Sequence, residues 1–85
     1  MSFDISYDKQ PEKFLIKIEK SIAKRILDKI DAMLINNPIP TDAKRIIGEH
    51  GVFRIRIGDY RALYTINYET KTINIFKIDK RENVY

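Results

Sequence analysis

Apolar and polar residues alternate with period two on both sides of a Gly-Asp pair in the segment Phe53-Arg54-Ile55-Arg56-Ile57-Gly58-Asp59-Tyr60-Arg61-Ala62-Leu63-Tyr64. Such a pair between β-branched and aromatic runs signals a two-residue hairpin, with Gly supplying the positive φ that the turn demands. The turn predicts Ile57 opposite Tyr60, Arg56 opposite Arg61, Ile55 opposite Ala62, Arg54 opposite Leu63 and Phe53 opposite Tyr64. Side chains alternate between the faces of a strand, so Phe53, Ile55, Ile57, Tyr60, Ala62 and Tyr64 share one face. Arg54, Arg56 and Arg61 share the other. The first is a core face and the second is cationic.

Elsewhere the pattern changes period. Phe3, Ile5 and Tyr7 alternate as a short strand. Pro11 suits the first turn of a helix striped by Phe14, Leu15 and Ile18. Ile22, Ile26, Leu27, Ile30, Met33 and Leu34 recur at helical spacing and predict a second helix, with Lys24, Arg25, Asp28, Lys29 and Asp31 turned to water. Ser21 is the candidate cap between the two, and Asn36-Asn37-Pro38 ends the second. Residues 39 to 51 read as an irregular connection with a short turn or strand at 43 to 47. After the hairpin comes a strand from Thr72 to Ile78, whose Ile73, Ile75, Phe76 and Ile78 place apolar groups on both faces and predict a position near the middle of the sheet. The order of elements predicts an α+β fold: an N-terminal strand, then a helical hairpin packed on one face of a mainly antiparallel sheet of about four strands, the other face open.

At 85 residues the chain is expected to form a single domain, residues 1–85. The absence of Cys excludes disulfides, thiolate catalysis and cysteine metal sites. His50 is the sole histidine and has no second ligand nearby, so no metal or other cofactor is expected. With neither a membrane-length apolar run nor a signal peptide, a soluble cytoplasmic protein is expected. The net charge of +4 is unevenly spread: up to Thr41 seven Lys/Arg face six Asp/Glu, and beyond it nine face six. Five of the six Arg lie in that second part. Arg binds phosphate bidentately and stacks on bases, whereas helix-surface Lys serves mainly solubility. Like charges directly opposite on a sheet are destabilising, so three arginines gathered on one face point to a missing anion.

The hairpin segment, followed by a strand and by Lys80-Arg81-Glu82-Asn83-Val84-Tyr85, resembles the RelE branch of the RelE/ParE toxin superfamily. Lys44 to Gly48 is similar to that family's Lys-Leu-x-Gly stretch, departing from it at Ile46-Ile47. The resemblance implies a RelE-like fold and the toxin component of a type II toxin–antitoxin system. Such a toxin is a ribosome-dependent endoribonuclease that cleaves messenger RNA in the ribosomal A site and is neutralised by a RelB-like antitoxin, with operator DNA bound only as a complex with the antitoxin. The family's functional basic residues match Arg54, Arg56, Arg61 and Arg81, and its functional tyrosine matches Tyr85. Bacterial members carry lysines at the places of Arg54 and Arg56 and continue past the tyrosine into a helix. The competing readings are a ParE-like inhibitor of DNA gyrase and a non-catalytic nucleic-acid-binding module.

These residue types fit RNA cleavage by attack of the 2′-hydroxyl on the adjacent phosphate. Arginine can stabilise extra charge on phosphorus, but with a pKa above about 12 it is a poor base. The expected roles are a phosphate clamp by Arg54, Arg56 and Arg61, protonation or stabilisation of the leaving oxygen by Arg81, and stacking or orientation by Tyr85. No good general base is present in the set. Positioning by a larger partner is then expected to supply much of the rate.

Overall fold

A computed structural model describes residues 2–41, 43–46, 48 and 50–83. The elements are β1 (Asp4–Tyr7), α1 (Lys9–Lys17), α2 (Lys20–Leu34), β2 (Ala43–Arg45), β3 (Val52–Ile57), β4 (Tyr60–Asn67), β5 (Thr72–Lys80) and a 3-10 turn at Arg81–Asn83. The sheet has five strands in the order β1-β5-β4-β3-β2, one more than expected. The additional strand is β2, a three-residue edge at the segment read as a turn or strand. It pairs antiparallel with β3, Lys44 opposite Arg54. β1 joins β5 in parallel, and β5 is interior as the apolar pattern predicted.

The hairpin register is the predicted one at all five positions, with Val52 opposite Thr65 as a sixth pair. Gly58 adopts φ +58 and Asp59 has no positive φ, the pattern of a turn with glycine at its first central position. Phe53, Ile55, Ile57, Ala62 and Tyr64 are buried on the face that α1 and α2 cover, together with Ile26, Ile30 and Leu34 of α2 and Ile73, Ile75 and Ile78 of β5. Tyr64 donates from its hydroxyl to the Pro38 carbonyl at 2.8 Å, which ties the segment after α2 to the sheet. Burial first, and the neighbouring Tyr68 second, push its pKa up, so it is a packing group and not a proton carrier at neutral pH.

Four details depart from the sequence expectations. The helices break at Ile18, which is extended, and at Glu19, whose backbone is non-helical (φ −58, ψ 137), and Glu19 rather than Ser21 occupies the cap position of α2. Ser21 Oγ donates instead to Glu19 Oε1 at 3.0 Å, a bond between two side chains that leaves the helix amides uncapped. Tyr68, which strand parity with Tyr60 and Tyr64 would place in the core, is 55% exposed, because β4 ends at Asn67 and the chain turns there. The face away from the helices is not wholly open: Ile46 and Leu63 are buried on it, packed with Val52 and Phe76.

β5 holds the fourth departure. Its pairing with β4 shifts at Leu63/Tyr64: Leu63 faces Lys77 while Tyr64 faces Ile75, leaving Phe76 as an extra residue. A bulge of this kind reverses the alternation beyond it. Ile73, Ile75 and Ile78 therefore all reach the helix-covered core although 75 and 78 differ in parity, and Phe76 joins the cluster on the other face.

β1 pairs with β5 only as far as Ile75, so the C-terminal half of β5 has no strand on that side. Gln10 in the first turn of α1 takes its place. Its side-chain amide accepts from the Ile78 N–H and donates to the Ile78 carbonyl, both at 2.9 Å. Buried or half-buried backbone groups left unpaired are costly. Gln10→Ala is expected to lower the unfolding free energy by about 1–3 kcal/mol, read as a shifted urea midpoint; an unchanged midpoint would show that water replaces the amide without loss.

Candidate functional site

The end of the sheet next to the Gly58 turn carries the cations. On the face away from the helices, strand register lines up Asp79, Arg61 and Arg56 across β5, β4 and β3, and then Lys77, Leu63, Arg54 and Lys44 across β5 to β2. Two like-charged pairs, Arg56–Arg61 and Arg54–Lys44, thus stand directly opposite each other. Leu63 is 1% exposed, although strand parity puts it among the arginines. The apolar cluster around it floors the site, and arginine stems can lie over such a surface while their charged ends reach water.

Arg54, Arg56 and Arg61 line one groove of about 360 Å³ together with Lys29 of α2, Thr41, Lys44 of β2 and Gly58. Among the described residues lining it, none is acidic. Arg61 is at its centre electrostatically. The pKa of its guanidinium is held below the ordinary value, first by desolvation, then by the charges of Arg54, Arg81 and Arg56 in that order. Its Nε is closed off from solvent and has no hydrogen-bond partner. A shielded, unpartnered donor facing three other guanidinium groups costs stability unless an anion supplies the missing acceptor.

Local bonds hold two of these groups in place, and both involve the hairpin turn. Arg56 Nε donates to the Gly58 carbonyl at 3.3 Å. The Arg81 N–H donates to the Asp59 carbonyl at 2.8 Å, docking the start of the 3-10 turn against the hairpin. Arg81 is thereby brought to the trio from 20 or more residues further along the chain, a placement that no periodicity within the hairpin can show. Asp59, read as a turn residue, is also the anchor of Arg81.

Of the predicted site residues, Arg54, Arg56 and Arg61 line the one groove, Arg81 is near enough for its charge to act on Arg61 but lines another groove with Asp59, Tyr60, Lys80 and Glu82, and Tyr85 lies outside the described residues. Lys29, which helical spacing turns to water, lines the groove, and so does Lys44 of the short edge strand. Their signal in the sequence is weak, since lysine on a helix or edge strand is ordinary. His50 lines a different groove with Ile39, Phe53 and Tyr68, and is not among the residues lining the arginine groove. No described helix is long and apolar enough to cross a membrane.

The arrangement can bind a phosphate and stabilise added negative charge on it. Among the described residues that line the groove, none is Asp, Glu or His.

A family model described as the ParE toxin of type II toxin–antitoxin systems matches residues 5–85. A protein of Methanocaldococcus jannaschii named as toxin RelE1 is 35% identical, over 100% of this chain and 97% of its own length. The archaeal RelE of a RelE–RelB complex from Pyrococcus horikoshii superposes with a TM-score of 0.81 at 30% identity, covering 99% of this chain and 100% of that one. The toxin–antitoxin complex RelBE2 of Mycobacterium tuberculosis contains a chain with a TM-score of 0.85 at 26% identity, covering 95% of this chain and 93% of that one.

Anion binding is expected to be visible in stability. Arg61→Gln should raise the thermal midpoint at low ionic strength by relieving the repulsion, while millimolar inorganic phosphate should stabilise the wild type and leave the variant nearly unmoved. Calorimetry reads both effects, and equal phosphate stabilisation of the two proteins would mean that the cluster is not the anion site.

Proposed function

As a member of the ParE toxin family of type II toxin–antitoxin systems, and within it of the RelE branch, this chain is a toxin, and we propose that it is a ribosome-dependent endoribonuclease that cleaves messenger RNA in the A site. The observation that carries the reading is Arg61: its Nε is closed off from solvent and has no hydrogen-bond partner, and its guanidinium feels the charges of Arg54, Arg81 and Arg56. A structural arginine would be bonded to a carboxylate, whereas Asp79, opposite Arg61 on β5, accepts from Lys80 and Asn83 instead. A phosphate-binding one needs the position free.

In the proposed reaction the 2′ oxygen forms a bond to the adjacent phosphorus, the bond from phosphorus to the 5′ oxygen breaks, and a proton passes to that departing oxygen. Arg54, Arg56 and Arg61 clamp the non-bridging oxygens, whose charge grows in the transition state. Arg81 approaches from the β5 side, the other flank of Arg61 from β3, and stabilises or protonates the leaving oxygen. Tyr85 stacks on or orients the substrate. The groove supplies charge stabilisation and no evident base, so the in-line geometry comes from the ribosome that presents the message. The partner that holds the toxin inactive is a RelB-like antitoxin, as in the complexes of the structural relatives.

Adding the protein to ribosomes stalled with an empty A site should give cuts within the A-site codon, mapped by primer extension. Arg61→Ala and Arg81→Ala should each slow cleavage by about 10²–10³, the loss seen when one preorganised donor to a developing oxyanion is removed. An intact message together with impaired DNA supercoiling would favour inhibition of gyrase. Rapid cleavage of naked RNA would overturn the ribosomal requirement.

Binding of single-stranded RNA should weaken with salt at a slope near −0.7 for each neutralised phosphate, about −3 for the four arginines. Each Arg→Ala change should flatten that slope by ~0.7. A slope that ignores these substitutions would place the RNA elsewhere on the protein.

A further inference from the structure

One described carboxylate is in register with the arginine cluster, and its hydrogen bonds go elsewhere. Asp79 lies directly opposite Arg61, and the reversal of alternation at Phe76 puts its side chain on the arginine face. Position alone would make it the counter-ion of Arg61. Its Oδ1 instead accepts from the Lys80 N–H at 2.7 Å and from Asn83 Nδ2 at 3.2 Å, while Arg61 Nε is left without a partner. Both donors flank or belong to the 3-10 turn that carries Arg81. A turn of three residues has few internal hydrogen bonds with which to hold itself. Its position therefore depends on external ties, namely the Arg81 N–H on the Asp59 carbonyl and the Asp79 clamp. Repulsion from Arg54, Arg56 and Arg61 would otherwise drive Arg81 away.

We propose that Asp79 is a positioning residue: through its hydrogen bonds to Lys80 and Asn83, and not as a counter-ion or a base, it holds Arg81 within the phosphate-binding cluster. The proposal rests on the reading of that cluster as a phosphate site. It separates two roles a carboxylate can play here. A counter-ion or base needs the charge, whereas a clamp needs only an acceptor oxygen, which Asn retains.

The test follows the arginine side-chain N–H resonances by NMR while the protein is titrated with inorganic phosphate. In the wild type, Arg54, Arg56, Arg61 and Arg81 should respond with one common midpoint. In Asp79→Ala the Arg81 response should separate from the others or vanish, and in Asp79→Asn it should persist. Asn83→Ala removes the outer tie while leaving the sheet residue in place, and should loosen Arg81 in the same sense even if Asp79→Ala fails to fold. In A-site cleavage, Asp79→Ala should lose about tenfold to a hundredfold in single-turnover rate, as misplaced catalytic groups do, with Asp79→Asn retaining most of it and an unaltered pH profile. Asp79→Asn behaving like Asp79→Ala, or an Arg81 response indifferent to both Asp79→Ala and Asn83→Ala, would overturn the proposal. The phosphate titration uses the protein alone, so the clamp stands if it succeeds and cleavage is absent; the nuclease reading is then the part that fails.

Discussion

The two-residue turn at Gly58-Asp59 is the constraint on which the site depends. A connection this short permits a single pairing of β3 with β4, and pairing sets which side chains share a face. A slip of one residue would carry Arg54 and Arg56 into the core and Ile55 and Ile57 into water. The same turn then serves as an attachment point: its two carbonyls receive Arg56 Nε and the Arg81 N–H. One local conformation, made possible by a glycine at φ +58, thus aligns three arginines and recruits a fourth.

Gathering these charges works against stability, and the rest of the molecule shows what opposes it. Arg56–Arg61 and Arg54–Lys44 are unfavourable cross-strand neighbours. Behind them, Ile55, Ala62, Tyr64, Ile73, Ile75 and Ile78 are wholly buried beneath the two helices. Each such side chain contributes on the order of 1–3 kcal/mol through removal of apolar area from water, smallest for Ala. The sheet can therefore carry a repulsive surface on one face because the other is so well packed. Gln10, bound to both polar groups of Ile78, extends that support to the part of β5 that leads into Arg81.

For the proposed cleavage, an arginine cluster supplies only part of what a catalyst needs. Guanidinium groups stabilise charge but do not readily accept a proton, and the described residues lining the groove add lysines and no carboxylate. Chemistry at such a site depends on the geometry in which the substrate arrives. Under the proposed function, cleavage is confined to settings where another assembly holds the RNA in line.

Much of this was legible in the sequence where physics is local. Alternation around Gly58-Asp59 determined the hairpin register and the composition of both its faces, because turn length and strand parity leave one solution. Helical spacing from Ile22 to Leu34 likewise determined which side of α2 is buried. Ser21 misled because a cap is decided by backbone conformation two residues away, at Glu19. Short β2 was ambiguous because three residues show no period, and its partner strand is what makes it a strand. Tertiary structure alone decided the far side of the site. The bulge at Phe76 is a property of how β5 meets β4, and it reverses the parity of everything beyond it, bringing Asp79 to the arginine face ahead of Arg81. Periodicity along one strand cannot reveal such a shift, since the extra residue exists only relative to a neighbour. The sequence by itself determined that three arginines share a surface; packing of β5 against the hairpin decided that a fourth completes it.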